Sequence, residues 1–164
     1  MSGDASTLTV TPRGERELVM TRAFKAPRAL VWACHTEPDL IRRWLLGPPG
    51  WSMPVCEIDL RVGGRYRYEW RHADERVMGM GGVLHEIDAP ARLVAMEKFD
   101  DDWTGGEYLV DQAFEEQGGV TTLTMTLTYA SEQSRARATA SGMTEGMEMG
   151  YARLDDVLAE EQRR

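Results

Sequence analysis

From residue 53 to residue 129 the chain reads as strand after strand, and near Ser131 the apolar period changes from two residues to 3.6. Six strand-like segments follow one another: 53–60, 65–72, 76–87, 93–99, 107–116 and 120–129. Turn residues such as Gly63-Gly64, Ala89-Pro90 and Gly118-Gly119 separate them. Connections this short join antiparallel neighbours, so a meander is predicted. The alternation is cleanest in 65–72, with Tyr66, Tyr68 and Trp70 on one face and Arg65, Arg67, Glu69 and Arg71 on the other. In 120–129, Leu123, Met125, Leu127 and Tyr129 oppose a row of threonines. A sheet with one apolar face needs a cover, and only the helical segment after Ser131 is long enough to supply it.

That segment carries two stripes. Gly142, Gly146 and Gly150 recur every four residues, and Met143, Met147, Tyr151, Leu154 and Leu158 share a helical face. Each interior glycine costs a helix about 1 kcal/mol relative to alanine. The row therefore predicts either close backbone approach to the sheet or space left open beneath the helix. Glu145, Glu148, Asp155 and Asp156 rule out a membrane span, so the glycine spacing is read as packing within the domain.

Upstream, 17–24 reads as a first strand, 29–35 as a short helix begun near Pro27, and 37–45 as a second, stopped by Gly47-Pro48-Pro49-Gly50. Residues 1–14, rich in Ser, Thr, Gly and Pro, are expected to be a flexible tail, and 15–164 a single domain. Gly79, Gly81 and Gly82 inside one strand predict a bulge or sharp curvature there. The fold class is thus α+β, with the order β-α-α-β6-α and a curved antiparallel sheet wrapped around a C-terminal helix.

A formal net charge of −8 argues against non-specific binding to nucleic acid or anionic membrane. No apolar run approaches a membrane span, and the polar N-terminus lacks a signal core, so a cytoplasmic protein is expected. Cys34 and Cys56 are read as buried small hydrophobes. The three histidines show no metal spacing, and no triad, nucleophile elbow, P-loop or zinc motif appears. No metal or cofactor is therefore expected. The run Asp100-Asp101-Asp102 lacks the pattern of a calcium loop and is read as a solvated turn.

Ten methionines and five tryptophans are the strongest local signal. Methionine adapts to irregular space, so these residues suit a cavity wall. The candidate lining is Trp44, Trp51, Tyr66, Tyr68, Trp70, Met80, Met96, Trp103, Phe114, Met125, Met143, Met147 and Tyr151. The competing reading is that they fill the core. Glu69, Arg71, Glu97, Lys98, Asp111 and Gln112 are read as a solvated outer face with cross-strand ion pairs. A carboxylate turned inward would instead have a raised pKa and serve as general acid or base.

The runs 44–51 (WLLGPPGW), 61–70 (RVGGRYRYEW), 90–93 (PARL), 97–103 (EKFDDDW) and 141–158 (SGMTEGMEMGYARLDDVL), with Gly79-Met80-Gly81-Gly82, carry a family resemblance. In order and spacing they resemble the AHSA1-like branch, named after the activator of Hsp90 ATPase homologue, of the START-like (SRPBCC) helix-grip superfamily. The resemblance spans residues 17–160. It implies a cavity beneath the C-terminal helix that binds a small apolar molecule, with no ligand specified. Two further readings stay open: a cyclase or hydrolase of an aromatic or polyketide-like substrate, and an interaction module or chaperone accessory. A homodimer is compatible with the sequence.

Overall fold

The computed structural model describes residues 6–164. Its strands are β1 (Thr9–Arg13), β2 (Glu17–Phe24), β3 (Trp51–Ile58), β4 (Arg65–His72), β5 (Val77–Asp88), β6 (Arg92–Phe99), β7 (Tyr108–Gln117) and β8 (Val120–Thr128). Helices α1 (Arg28–Thr36) and α2 (Pro38–Ile41) lie between β2 and β3, and α3 (Glu132–Ala140) and α4 (Met143–Gln162) follow β8. The strands form one antiparallel sheet in the order β1-β2-β8-β7-β6-β5-β4-β3. The six-strand meander is as the sequence predicts. The N-terminal hairpin closes onto β8, and α1–α2 carry the chain across to the far edge at β3.

Two boundaries are corrected. Residues 9–13, expected in the tail, form β1 and pair with β2, from Thr9 opposite Thr21 to Arg13 opposite Glu17. This edge strand is mostly exposed, so it carries no alternation to read, and an edge tolerates Pro12. Residues 1–5 of that expected tail lie outside the described residues. The C-terminal helix is also two helices. Gly142 stands between them in the left-handed region, at φ +84°, as the residue that starts α4. It relieves the turn rather than weakening a helix interior.

The strand glycines also act otherwise than expected. The register of β5 shifts between Leu84 and Glu86, away from Gly79, Gly81 and Gly82. Gly82 pairs with Tyr66 on one side and Glu97 on the other, and a Cβ on it would collide with the Tyr66 ring. On the opposite face, a Cβ on Gly79 would collide with the Arg67 and Asp100 side chains, which form an ion pair. The missing side chains of β5 thus let one β4 residue cross to β6 on the inner face and another reach Asp100 on the outer face.

The core lies between the concave face of the sheet and the helices. In β2, Leu18, Met20, Arg22 and Phe24 are buried in strict alternation. Arg22 is 3% exposed, and a buried charge needs partners. Two turns of α4 supply them: Glu148 at 2.9 Å and Asp155 at 2.8 Å, each gripping the guanidinium with two hydrogen bonds. The guanidinium also lies 4.9 Å over the Phe24 ring. This clamp sets the position of α4, whose Tyr151, Leu154, Val157 and Leu158 are buried. Cys34 and Cys56 are buried and unpaired.

Candidate functional site

Beneath α4 the sheet encloses a cavity of about 570 Å³. Alternation along the strands decides which side chains face it. Tyr66, Tyr68 and Trp70 come from β4, Met78 and Met80 from β5, Tyr108 and Val110 from β7, and Met125 and Leu127 from β8. Met143, Gly146, Met147, Gly150 and Tyr151 form the roof. The rim comprises Gly47 and Pro48 of the loop after α2, with Trp51 and Trp103.

That loop is tied down by indole donors. Trp70 Nε1 donates to the Leu45 carbonyl at 2.7 Å, and Trp44 Nε1 to the Cys34 carbonyl at 2.8 Å. Trp44 also stacks on Tyr151, with centroids 5.5 Å apart, so loop and roof share one aromatic contact. The roof glycines differ. A Cβ on Gly150 would lie 3.3 Å from the Trp44 carbonyl oxygen, whereas one on Gly146 would meet nothing within 4 Å. Gly150 admits close packing, and Gly146 leaves space.

Eleven of the thirteen candidates line this cavity: Trp44, Trp51, Tyr66, Tyr68, Trp70, Met80, Trp103, Met125, Met143, Met147 and Tyr151. Met96 and Phe114 do not. Met96 alternates with Ala95 and Glu97 and so points to the outer face. There it borders a charged groove of about 660 Å³ with Arg65, Arg67 and Lys98. Phe114 is buried under α1, edge-on to Trp32 and His35 at 5.6 and 5.1 Å.

The cavity also has polar groups. Glu97, expected on the solvated outer face, lines it. It follows Leu93 and Ala95 at a period of two, and that pattern was its one sequence signal. Its carboxylate accepts hydrogen bonds from Tyr66 Oη at 2.6 Å and from Tyr108 Oη. Burial pushes the Glu97 carboxyl above its ordinary value, against the opposing pull of the two phenols. Burial and the adjacent carboxylate push both phenols up in turn. Gln112 faces the cavity as well, while Asp111 is paired with Arg92, and Glu69 with Arg67.

His35, read from the sequence only as a histidine without metal spacing, also lines the cavity, 5.0 Å from Trp44. Its Nδ1 lies 2.7 Å from the Val31 carbonyl, which only an N–H can satisfy, so Nε2 is the acceptor. Nε2 is buried with no partner among the described residues, and burial pushes the imidazole down to about 4. Among the described residues, no Lys or Arg lines the cavity.

A curved antiparallel sheet around a C-terminal helix, with a walled space between them, is the helix-grip architecture. The family model of activator of Hsp90 ATPase homolog 1-like proteins matches residues 25–159, and the chain belongs to that family. A crystal structure of a protein from Rhodobacter sphaeroides is 33% identical, with a TM-score of 0.89 over 94% of this chain and 99% of that one. A protein from Nitrosomonas europaea shares the fold at 21% identity, with a TM-score of 0.81 over 93% of this chain and all of that one. The AHSA1-like protein from Aeromonas hydrophila does so at 22% identity, with a TM-score of 0.67 over 85% of this chain and 93% of that one. No curated protein matches. Among the described residues, no helix is long and apolar enough to cross a membrane.

Proposed function

We propose that this protein binds a small, largely apolar molecule in the cavity between the concave sheet and α4. The observation that carries this reading is the roofed space of about 570 Å³ walled by aromatic and methionine side chains. Pockets of this size hold molecules of a few fused or linked rings. Protein interiors are otherwise packed to crystal density, so a space this large in an ordinary core is unusual. Gly146 supports the reading too, because the helix gives up about 1 kcal/mol at that position and the space stays open.

The test is titration with the neutral fluorophore N-phenyl-1-naphthylamine. Saturable one-to-one binding is expected in the wild type. Met147→Trp, which fills the space under the roof, should abolish it while leaving the circular dichroism spectrum intact. No saturable binding, or equal binding by the variant, would overturn the reading.

One observation favours a second reading, that of a hydrolase or cyclase. Such an enzyme needs an ionisable group facing the substrate, and Glu97 lines the cavity. Turnover of an aromatic ester that is lost in Glu97→Gln would support it, and turnover retained in that variant would count against it.

A further inference from the structure

The cavity is apolar over most of its wall; Gln112 can both donate and accept, whereas Glu97 with its two phenols, and His35, offer lone pairs. Tyr66 and Tyr108 both donate to Glu97, so their hydroxyl hydrogens are spent. A carboxylate offers about four lone-pair sites, and two remain free. The phenol oxygens keep lone pairs as well. This pole can therefore only accept. His35 Nε2 has the same polarity, because Nδ1 holds the proton, and it is a buried acceptor without a partner among the described residues. A ligand carbonyl or carboxylate would meet like polarity at either place, whereas a donor would be satisfied.

Charge narrows the class further. Among the described residues, Glu97 is the only Asp or Glu lining the cavity and no Lys or Arg lines it; Arg65, Arg67 and Lys98 border the outer groove, which Glu97 also reaches. Glu97 is half-buried and forms no ion pair among the described residues, and a partly desolvated carboxylate without a cation is costly. Further rings pack beside the two phenols: Tyr68 lies 5.3 Å from Tyr66, and Phe99 lies 6.3 Å from Tyr108. A hydroxyl on the ligand would fill a lone pair and leave the charge uncompensated. An ammonium would answer the lone pairs and the charge together.

We infer that the ligand of this cavity is an apolar amine, a hydrophobic body carrying one protonated nitrogen that seats against Glu97, Tyr66 and Tyr108. The inference rests on the cavity being a ligand site, as proposed above, and adds the chemistry of the ligand's polar end. It also accounts for Gly82, whose missing side chain lets Tyr66 reach Glu97.

The experiment uses three probes with one naphthalene body: 2-(1-naphthyl)ethylamine, 2-(1-naphthyl)ethanol and 1-naphthylacetate. Each is titrated into the full chain at pH 7.5 by calorimetry, with N-phenyl-1-naphthylamine as the neutral reference. The amine is expected to bind about tenfold more tightly than the alcohol, and the acetate more weakly than either. In Glu97→Gln the amine and alcohol affinities should converge. The wild-type ratio tests the idea without any variant. An amine no tighter than the alcohol, or an amine preference that survives Glu97→Gln, overturns this inference while leaving the apolar site standing if the reference probe binds. Failure of the reference probe together with all three naphthalenes overturns both.

Discussion

A Cβ on Gly150 of α4 would lie 3.3 Å from the carbonyl oxygen of Trp44, and that oxygen already accepts the Leu46 N–H at 2.8 Å. The helix therefore meets the α2–β3 loop backbone to backbone. One turn earlier, Gly146 faces the cavity, and a Cβ on it would meet nothing within 4 Å. Glycines at identical spacing serve opposite ends, contact at one and volume at the other.

Alanine scanning of the two should separate them. Gly146→Ala is expected to stabilise the protein by about 1 kcal/mol, the helix-propensity gain. Gly150→Ala is expected to destabilise it by about 1 kcal/mol, because crowding a hydrogen-bonded carbonyl outweighs that gain. Urea unfolding midpoints decide the matter, and equal stabilisation by both would contradict this account.

Arg22 holds α4 on the sheet. Arg22→Met removes a buried cation from two carboxylates and is expected to cost about 3 kcal/mol. Its pH signature follows from Glu148, which Arg22 holds below its ordinary value of 4.5. A lowered folded-state value adds stability above the unfolded value, lost as pH falls through the folded one. The gap between wild type and variant should therefore narrow below about pH 4. A gap that stays constant on acidification would exclude this coupling.

Glu97 has the opposite sign. Its folded-state value is raised above 4.5, so its contribution is fully present below the unfolded value and lost as pH rises through the folded one. Glu97→Gln, in the absence of ligand, is expected to have a higher Tm than the wild type at pH 8 and an equal one below about pH 4. A variant less stable than the wild type at pH 8 would show that the carboxylate is well compensated by the two phenols.

Gly82→Ala places a methyl group where the Tyr66 ring lies. Displacing that ring breaks the Tyr66–Glu97 hydrogen bond and is expected to cost about 1–3 kcal/mol by urea unfolding. In the double variant Gly82→Ala/Tyr66→Ala the ring is gone, and the penalty for the glycine change should largely vanish. Additive costs would argue that the Gly82 position is strained for another reason.

Much of the fold was legible because it is written in local periods. The alternation in β4 and β8 named their faces, and the change of period near Ser131 marked the end of the meander. β1 was not legible, since an edge strand that buries little on either side carries no alternation. Most of the candidate wall came together because large aromatic and methionine residues on inward faces were the natural choice. Met96 was lost by one residue of pleat, and Phe114 because an inward side chain can lie under α1 instead of α4.

By itself, then, the sequence determined the order of the elements from β2 through β8, the helical cover and the apolar character of the wall, since each depends on spacing along the chain. Only the tertiary structure decided what the faces meet. That Glu97 turns inward to two phenols, that Arg22 clamps α4, and that Gly150 touches Trp44 while Gly146 does not depend on residues far apart in the chain. Those partners are chosen by strand register and helix docking, and no local pattern encodes them.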